Sequence, residues 1–263
     1  GRKAELWTAS MAAEPDSYEV AARLSTIPDT AAAVIRYANS AYVGAVYPVG
    51  TILEAVVRVG CRTVGALAMA SLNKDLVDTW GAPELWEQSL IVGRAAKVIA
   101  NLRGADRNEA EILFVAGLFS CSGLASLTVQ DDGYLTWRRQ QWQRGLTDDQ
   151  LLQKEALIYG ERHDRLAARL LEEWNLPPKI SAPIAAHHNP NTVEDEIIRT
   201  AIAALPNDMA ARCVDVPFKR AMQTIGLGEH TQFVESEAML FAENTSDAFG
   251  HAPITASERF SLT

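Results

Sequence analysis

The chain has 263 residues, of which 48% are hydrophobic and 22% charged, the balance of a globular protein with enough chain for one or two domains. Thirty-three acidic side chains against 24 Lys+Arg give a formal net charge of −9, which argues against nucleic acid or an anionic membrane as the main partner. Cys61, Cys121 and Cys213 are far apart and form no CxxC pair, so zinc-ribbon and thioredoxin chemistry are excluded and a reducing compartment is expected.

Helical periodicity runs along nearly the whole chain. Asp16–Ser17 ahead of Val20, Ala21 and Leu24 predicts a short helix. Pro28 is placed to open another, with Ala31, Val34, Ile35 and Ala38 as its apolar face and Asn39–Ser40 as its end. Thr51 with Glu54 is a capping-box pattern before Ile52, Ala55, Val56 and Val59, and Gly60 stops that run. Val64, Leu67, Ala68 and Leu72 continue in a further helix. The pair around Gly60 reads as a packed helical hairpin rather than a DNA-binding helix-turn-helix, because its outward residues are too poor in Lys and Arg to grip phosphates.

Pro83–Glu84 starts a helix with Leu85, Ser89, Val92, Ala96 and Ile99 inward and Gly104 at its end. Asp106 with Glu109 caps the next, on which Ala110, Leu113, Phe114, Gly117 and Leu118 share a face. Leu127 to Tyr134 is expected to be a short irregular connection. Thr147 with Gln150 caps a helix carrying Leu151, Leu152 and Ala156 and ending near Gly160. Leu166, Ala167, Leu170 and Trp174 mark another, which Asn175–Leu176–Pro177–Pro178 ends. Ile180, Ile184 and His187 follow, closed by Asn189–Pro190, and then Ile197, Ile198, Ala201, Ile202 and Leu205. Two or three more helices are expected between Asp208 and Glu243, with fraying after Asn244.

No strand pair or fixed repeat is visible. No apolar run approaches the roughly 18–20 residues of a membrane span, and the opening residues do not read as a signal peptide. The expected architecture is all-α, a multi-helix bundle in two lobes with a seam near Asp78–Pro83.

Several polar residues sit on otherwise apolar helix faces. Gln88 lies between Leu85 and Val92, and Ser120–Cys121 ends the Leu113/Gly117 face. His163 precedes Leu166, Ala167 and Leu170, and His187 follows Ile180 and Ile184. Helical spacing turns all of them inward. Singly, each reads as a hydrogen-bonded core residue or, for Cys121, a small buried hydrophobe. Together they raise a functional question.

The order of motifs resembles the HDOD family, signalling relatives of the HD metal-dependent phosphohydrolases. The stretches that carry the likeness are Ile35–Ala41, Glu54–Gly60, Leu85–Trp86–Glu87–Gln88–Ser89 and Ala116–Gly117–Leu118–Phe119. Later come Glu155 with Tyr159–Gly160 and His163, then Leu170–Pro177 with its Trp-Asn-Leu-Pro, and Ala186–His187–His188. The likeness covers roughly residues 15–240. It implies an N-terminal helical lobe over 1–79, an HD-like bundle over 80–191 and C-terminal helices over 192–263.

The departures from that pattern bear on chemistry. In hydrolytic relatives a His, and later an adjacent His–Asp pair, bind the metal. By the resemblance those positions hold Gln88, Ser120 and Cys121 here. Gln88 and Ser120 are neutral, weak donors, and a thiol is soft in a site built for imidazole and carboxylate. His163, Asp164, His187 and His188 remain. His187 and His188, about 100° apart on a helix, are not expected to face one ion.

The resemblance therefore implies a bacterial, cytoplasmic, non-catalytic signalling or regulatory module with no resident metal or cofactor. Its expected partners are proteins, with a small-molecule or nucleotide ligand in a former active-site cavity lined by Gln88, Ser120, Cys121, His163, His187 and His188. Membrane is excluded and nucleic acid disfavoured. Trp137, Arg138, Arg139, Trp142 and Arg144 interleave aromatic and basic groups. They read as a partly exposed helix whose rings pack inward while Arg stems reach outward, and as a docking surface for a protein. Two alternatives stand. One is a phosphohydrolase of nucleotides or cyclic dinucleotides, favoured by stoichiometric metal on His163 and His187. The other is a nucleic-acid-binding regulator acting through Arg138, Arg139 and Arg144. A nucleophilic Cys121 would need a nearby base and an electropositive setting.

Overall fold

The computed structural model describes residues 1–44, 46–206, 209 and 212–250. Among them the regular structure is entirely helical, as the periodicity predicts. In chain order the helices are α1 (Arg2–Ser10), α2 (Ser17–Ser25), α3 (Pro28–Ala38), α4 (Ile52–Val59), α5 (Cys61–Thr79), α6 (Leu85–Leu102), α7 (Arg107–Phe119), α8 (Ser122–Gln130), α9 (Tyr134–Gln143), α10 (Asp148–Tyr159), α11 (His163–Glu173), α12 (Pro178–Ala186), α13 (Val193–Ala203), α14 (Phe218–Thr224) and α15 (Thr231–Ala248). Short 3-10 turns occupy Ala41–Val43 and Gly228–His230. The chain divides into two compact units, residues 1–71 with 240–263, and residues 72–239.

In the first unit, α2 and α4 have the caps their sequences announce. Asp16 accepts from the Tyr18 amide, and Thr51 and Glu54 form a reciprocal box. Gly60 ends α4 at φ +85°, a backbone setting that disfavours any side chain. Leu6, Val20, Leu24, Val34, Val56 and Leu67 are fully buried. Helix α1 carries too short a pattern to be noticed in sequence, yet it buries Leu6, Trp7 and Ser10. A Cβ on Gly65 would stand 1.9 Å from Ser10 Oγ, so this contact requires glycine.

Among the described residues the expected fraying does not begin at Asn244. Helix α15 continues to Ala248, Thr245 and Ser246 are buried, and Arg36 donates to the Ala248 carbonyl at 2.5 Å. Phe241, Ala242 and Ala248 are buried and give these last turns an apolar face. Residues 251–263 lie outside the described residues.

In the second unit, α6 and α7 cross closely at glycines. A Cβ on Gly117 would meet the Val92 carbonyl at 2.8 Å, and one on Gly93 the Phe114 carbonyl at 3.0 Å. Asp106 and Glu109 form the predicted box at the start of α7. Helix α8 runs through Leu127 to Gln130, so only three residues separate it from α9, and the expected irregular connection is mostly helix. Thr128, which bonds the Trp80 and Ala125 carbonyls, helps hold that last turn. The run Arg107–Gln130 does pass the length and apolarity test for a membrane span, contrary to expectation. Its window is 78% buried within the chain, and α7 gives way to α8 at Ser120–Cys121, which makes it core.

Candidate functional site

Buried polar groups of the second unit gather where α10, α11, the end of α12 and the irregular segment 212–216 meet. Its anchor is Glu155, on the same face of α10 as Leu151 and Leu152 and fully buried. Tyr134 Oη donates to its Oε1 at 2.8 Å, and the Arg138 guanidinium forms an ion pair with the same oxygen. The backbone N–H of His163 donates to Oε2 at 3.2 Å, and the His163 Nδ1–H at 2.7 Å. Burial alone would raise the Glu155 carboxyl, but His163 and Arg138 hold it well below the usual carboxylate range.

His163 opens α11, tied down by this carboxylate and by a tight approach from α8. A Cβ on Gly123 would lie 1.9 Å from the His163 carbonyl oxygen. With Nδ1 turned to Glu155, Nε2 faces the interior. Burial opposes its charge, but the Glu155 carboxylate prevails and raises His163 to about 9.

His187 and His188 follow α12, and here the structure corrects the sequence argument. Helix α12 stops at Ala186, yet His187 keeps helical backbone angles (φ −61°, ψ −22°), so the two rings meet through the reach of their side chains. His187 turns Nδ1 to the Ile184 carbonyl at 2.6 Å, and His188 brings Nε2 within 3.1 Å of His163 Nε2. Ring centroids lie 5.6 Å (163–187), 5.0 Å (163–188) and 4.2 Å (187–188) apart. Arg199, from α13, donates to the His187 and His188 carbonyls at 3.1 and 3.0 Å and fixes this chain reversal. Burial lowers both imidazoles, His188 to about 4.

Cys213 completes the cluster. Its Sγ is 3.4 Å from His187 Nε2. Burial would raise the thiol, yet His187 and His163 draw it down to about 6. Neighbouring Arg212 fixes its segment by donating to the carbonyls of Ala203, Leu205, Val214 and Val216. One donor atom from each of His163, His187, His188 and Cys213 lies within 4.8 Å of the others, the donor types and spacing of a metal centre.

The remaining sequence candidates are not among the four converging donors. Gln88 donates to the Glu84 carbonyl at 3.1 Å, and Ser120 Oγ to the Gly117 carbonyl at 2.7 Å. Cys121 Sγ sits 2.6 Å from Ser89 Oγ, and burial pushes its thiol up to about 11, the reverse of a nucleophile's setting. By the resemblance these are the positions that bind metal in hydrolytic relatives, and here they hold a neutral amide, a hydroxyl and a thiol whose burial favours its protonated form.

On α9, Trp137 and Trp142 are half-buried and Arg139 and Arg144 exposed. Arg138 is buried against Glu155 and Trp142, so it faces the core rather than any docking surface. Glu155 was visible in sequence only through the family likeness, although its place on the Leu151/Leu152 face is the signal that singled out the histidines. Cys213 carried no such signal, because its segment has no periodicity.

The pattern of the HDOD domain family matches residues 4–190. No curated protein matches the chain in sequence. Solved structures share its fold. A nominal phosphohydrolase from Shewanella amazonensis SB2B is 23% identical, with 93% of each chain covered and a TM-score of 0.64. An HDOD domain protein of unknown function from Geobacter sulfurreducens is 19% identical, with 91% of each chain covered and a TM-score of 0.66. A nominal signal transduction protein from Marinobacter aquaeolei VT8 is 18% identical over 94% of this chain and 59% of that one, with a TM-score of 0.68.

Proposed function

The chain belongs to the HDOD domain family, and we propose that it acts there as a non-catalytic signal-transduction module of the bacterial cytoplasm, working through contacts with protein partners. The observation that carries this reading is the state of the Ser120–Cys121 pair. A hydrolytic centre needs charged donors at that point to hold an ion and activate water. Here Ser120 is hydrogen-bonded to its own helix, and Cys121 is a buried thiol held against Ser89. The donor set that does converge, His163, His187, His188 and Cys213, contains no carboxylate.

The partner-facing surface in this reading is the exposed side of α9 around Arg139, Trp142 and Arg144, where cationic groups flank a half-buried ring. The test is turnover. Purified protein is incubated with Mn²⁺, Fe²⁺ or Zn²⁺ and a panel of phosphoesters, nucleotides and cyclic dinucleotides. No cleavage above the protein-free rate is expected. Cleavage that copurifies with the chain and is abolished by chelation would overturn the reading. Metal content alone does not separate the two, because a bound ion can be structural.

A further inference from the structure

We propose that His163, His187, His188 and Cys213 bind a single zinc-type divalent cation in a closed, four-coordinate site. This goes beyond the signalling reading and uses none of Gln88, Ser120 and Cys121.

The first support is geometric. Metal–nitrogen bonds of about 2.0–2.1 Å and a metal–sulfur bond of about 2.3 Å, arranged tetrahedrally, set donor atoms roughly 3.3–3.6 Å apart. Two of the donor pairs already stand at 3.1 Å (His188 Nε2 to His163 Nε2) and 3.4 Å (Cys213 Sγ to His187 Nε2). All four atoms lie within 4.8 Å of one another, so small side-chain rotations suffice.

The second support is the outer shell. A metal-bound imidazole normally turns its other nitrogen to a carboxylate or a backbone carbonyl. His163 Nδ1 has Glu155, and His187 Nδ1 has the Ile184 carbonyl. His188 Nδ1 has the Asp148 carboxylate at 3.7 Å, and Arg199 and the Asp215 amide also point at that carboxylate. His163 and His187 thus turn Nδ1 to a hydrogen-bonded acceptor, His188 turns its Nδ1 toward a carboxylate beyond hydrogen-bond distance, and the Nε2 atoms converge.

The third support is an unresolved pairing of lone pairs. If His188 carries its hydrogen on Nε2 and gives it to His163, its Nδ1 is a buried lone pair facing a carboxylate. If it carries the hydrogen on Nδ1, the 3.1 Å contact is a hydrogen bond only while His163 is charged and gives its own Nε2–H, and a neutral His163 leaves two Nε2 lone pairs facing each other. His188 Nδ1 has no hydrogen-bond partner among the described residues. A proton between the two histidines would answer that one pair. A cation answers all four converging donors at once. Three imidazoles with one thiolate suit a borderline-soft ion over magnesium or calcium. Four protein ligands leave no vacancy for water, the mark of a structural or sensing site.

The test uses the whole chain, purified without a polyhistidine tag, stripped with chelator and titrated with Co²⁺ or Zn²⁺ alone. One cobalt per chain is expected, with tetrahedral ligand-field absorption and a thiolate-to-cobalt charge-transfer band that zinc abolishes. Cys213→Ser should lose the charge-transfer band, while Cys61→Ala and Cys121→Ala keep it. His188→Ala should lower the retained zinc at least tenfold, and chelation should lower the melting temperature of the wild type but not of Cys213→Ser. Should these variants fail to fold, the wild-type cobalt spectrum decides alone: a chain that binds well under one equivalent, or shows no thiolate band, overturns the proposal. Metal bound without phosphoester turnover supports this centre and the signalling reading together. Metal bound with chelator-sensitive turnover keeps the centre and removes the non-catalytic reading. Neither metal nor turnover removes the centre alone.

Discussion

Replacing Glu155 by Gln should be among the most damaging single changes to the second unit. The side chain is fully buried and receives Tyr134 Oη, the Arg138 guanidinium, and both the backbone N–H and Nδ1–H of His163. Glutamine keeps the volume but removes the charge, and it sets an NH₂ against groups that are all donors. Arg138, 3% exposed, is then a buried cation without a counter-charge. Breaking one partner out of a buried pair costs about 3–5 kcal/mol. At about 2–4 °C per kcal/mol for chains of this size, the melting temperature should fall by roughly 6–20 °C. Thermal unfolding followed by circular dichroism measures this directly. The companion variant is Glu155→Gln with Arg138→Met, which removes both charges together. It should regain more than half of the loss, because an apolar replacement of a buried pair is far less costly than an orphaned ion. A single variant that melts within about 1 °C of wild type would refute the reasoning, since it would show that the carboxylate does not hold Arg138 and His163. So would a double variant no better than the single.

Gly123→Ala pushes a methyl group toward the His163 carbonyl, where the ideal Cβ would stand at 1.9 Å. Overpacking of about 1–3 kcal/mol is expected in urea unfolding, together with a weaker cobalt charge-transfer band as His163 shifts. Arg212→Met strands the carbonyls of Ala203, Leu205, Val214 and Val216. At least about 2 kcal/mol should be lost, and thiol-specific reagents should reach Cys213 faster. Thr51→Ala removes half of the box at the start of α4, at a cost of about 1 kcal/mol. Hydrogen exchange in the first turn of α4 should quicken by roughly fivefold, with the second unit unaffected.

Most helix starts were legible because capping is local chemistry. Thr51/Glu54, Asp106/Glu109 and Thr147/Gln150 each need only four consecutive residues, and all three form reciprocal boxes. Helix ends were less legible where tertiary contacts decide them. Leu127–Gln130 has weak local signals, yet Thr128 joins Trp80, forty-eight residues away. The last turns of α15 hold because Arg36, 212 positions earlier, reaches the Ala248 carbonyl. Helix α1 owes its place to Gly65, which admits Ser10. Each of these is a long-range contact that no window of periodicity contains.

The site was half legible for the same reason. His163 and His187 stood out because each lies on an apolar helix face, and the structure buries both. Applying the helical angle to His187 and His188 separated two groups that the fold unites. The angle describes where the Cβ atoms point, and His187 still has helical backbone angles just past the end of α12, but it does not limit where ring nitrogens several bonds further out can reach. The directions of the two rings are set by what their nitrogens find: a carbonyl within the last turn for His187, His163 for His188. Arg199 then fixes the reversal by taking both histidine carbonyls. The consequence reaches beyond this chain's helix ends. Adjacent histidines can therefore converge at a helix end, where side-chain partners and not the Cβ spacing decide where the ring nitrogens lie. In this protein the pair meets Cys213, which helix periodicity could never have placed there, and the four donors that converge include no carboxylate.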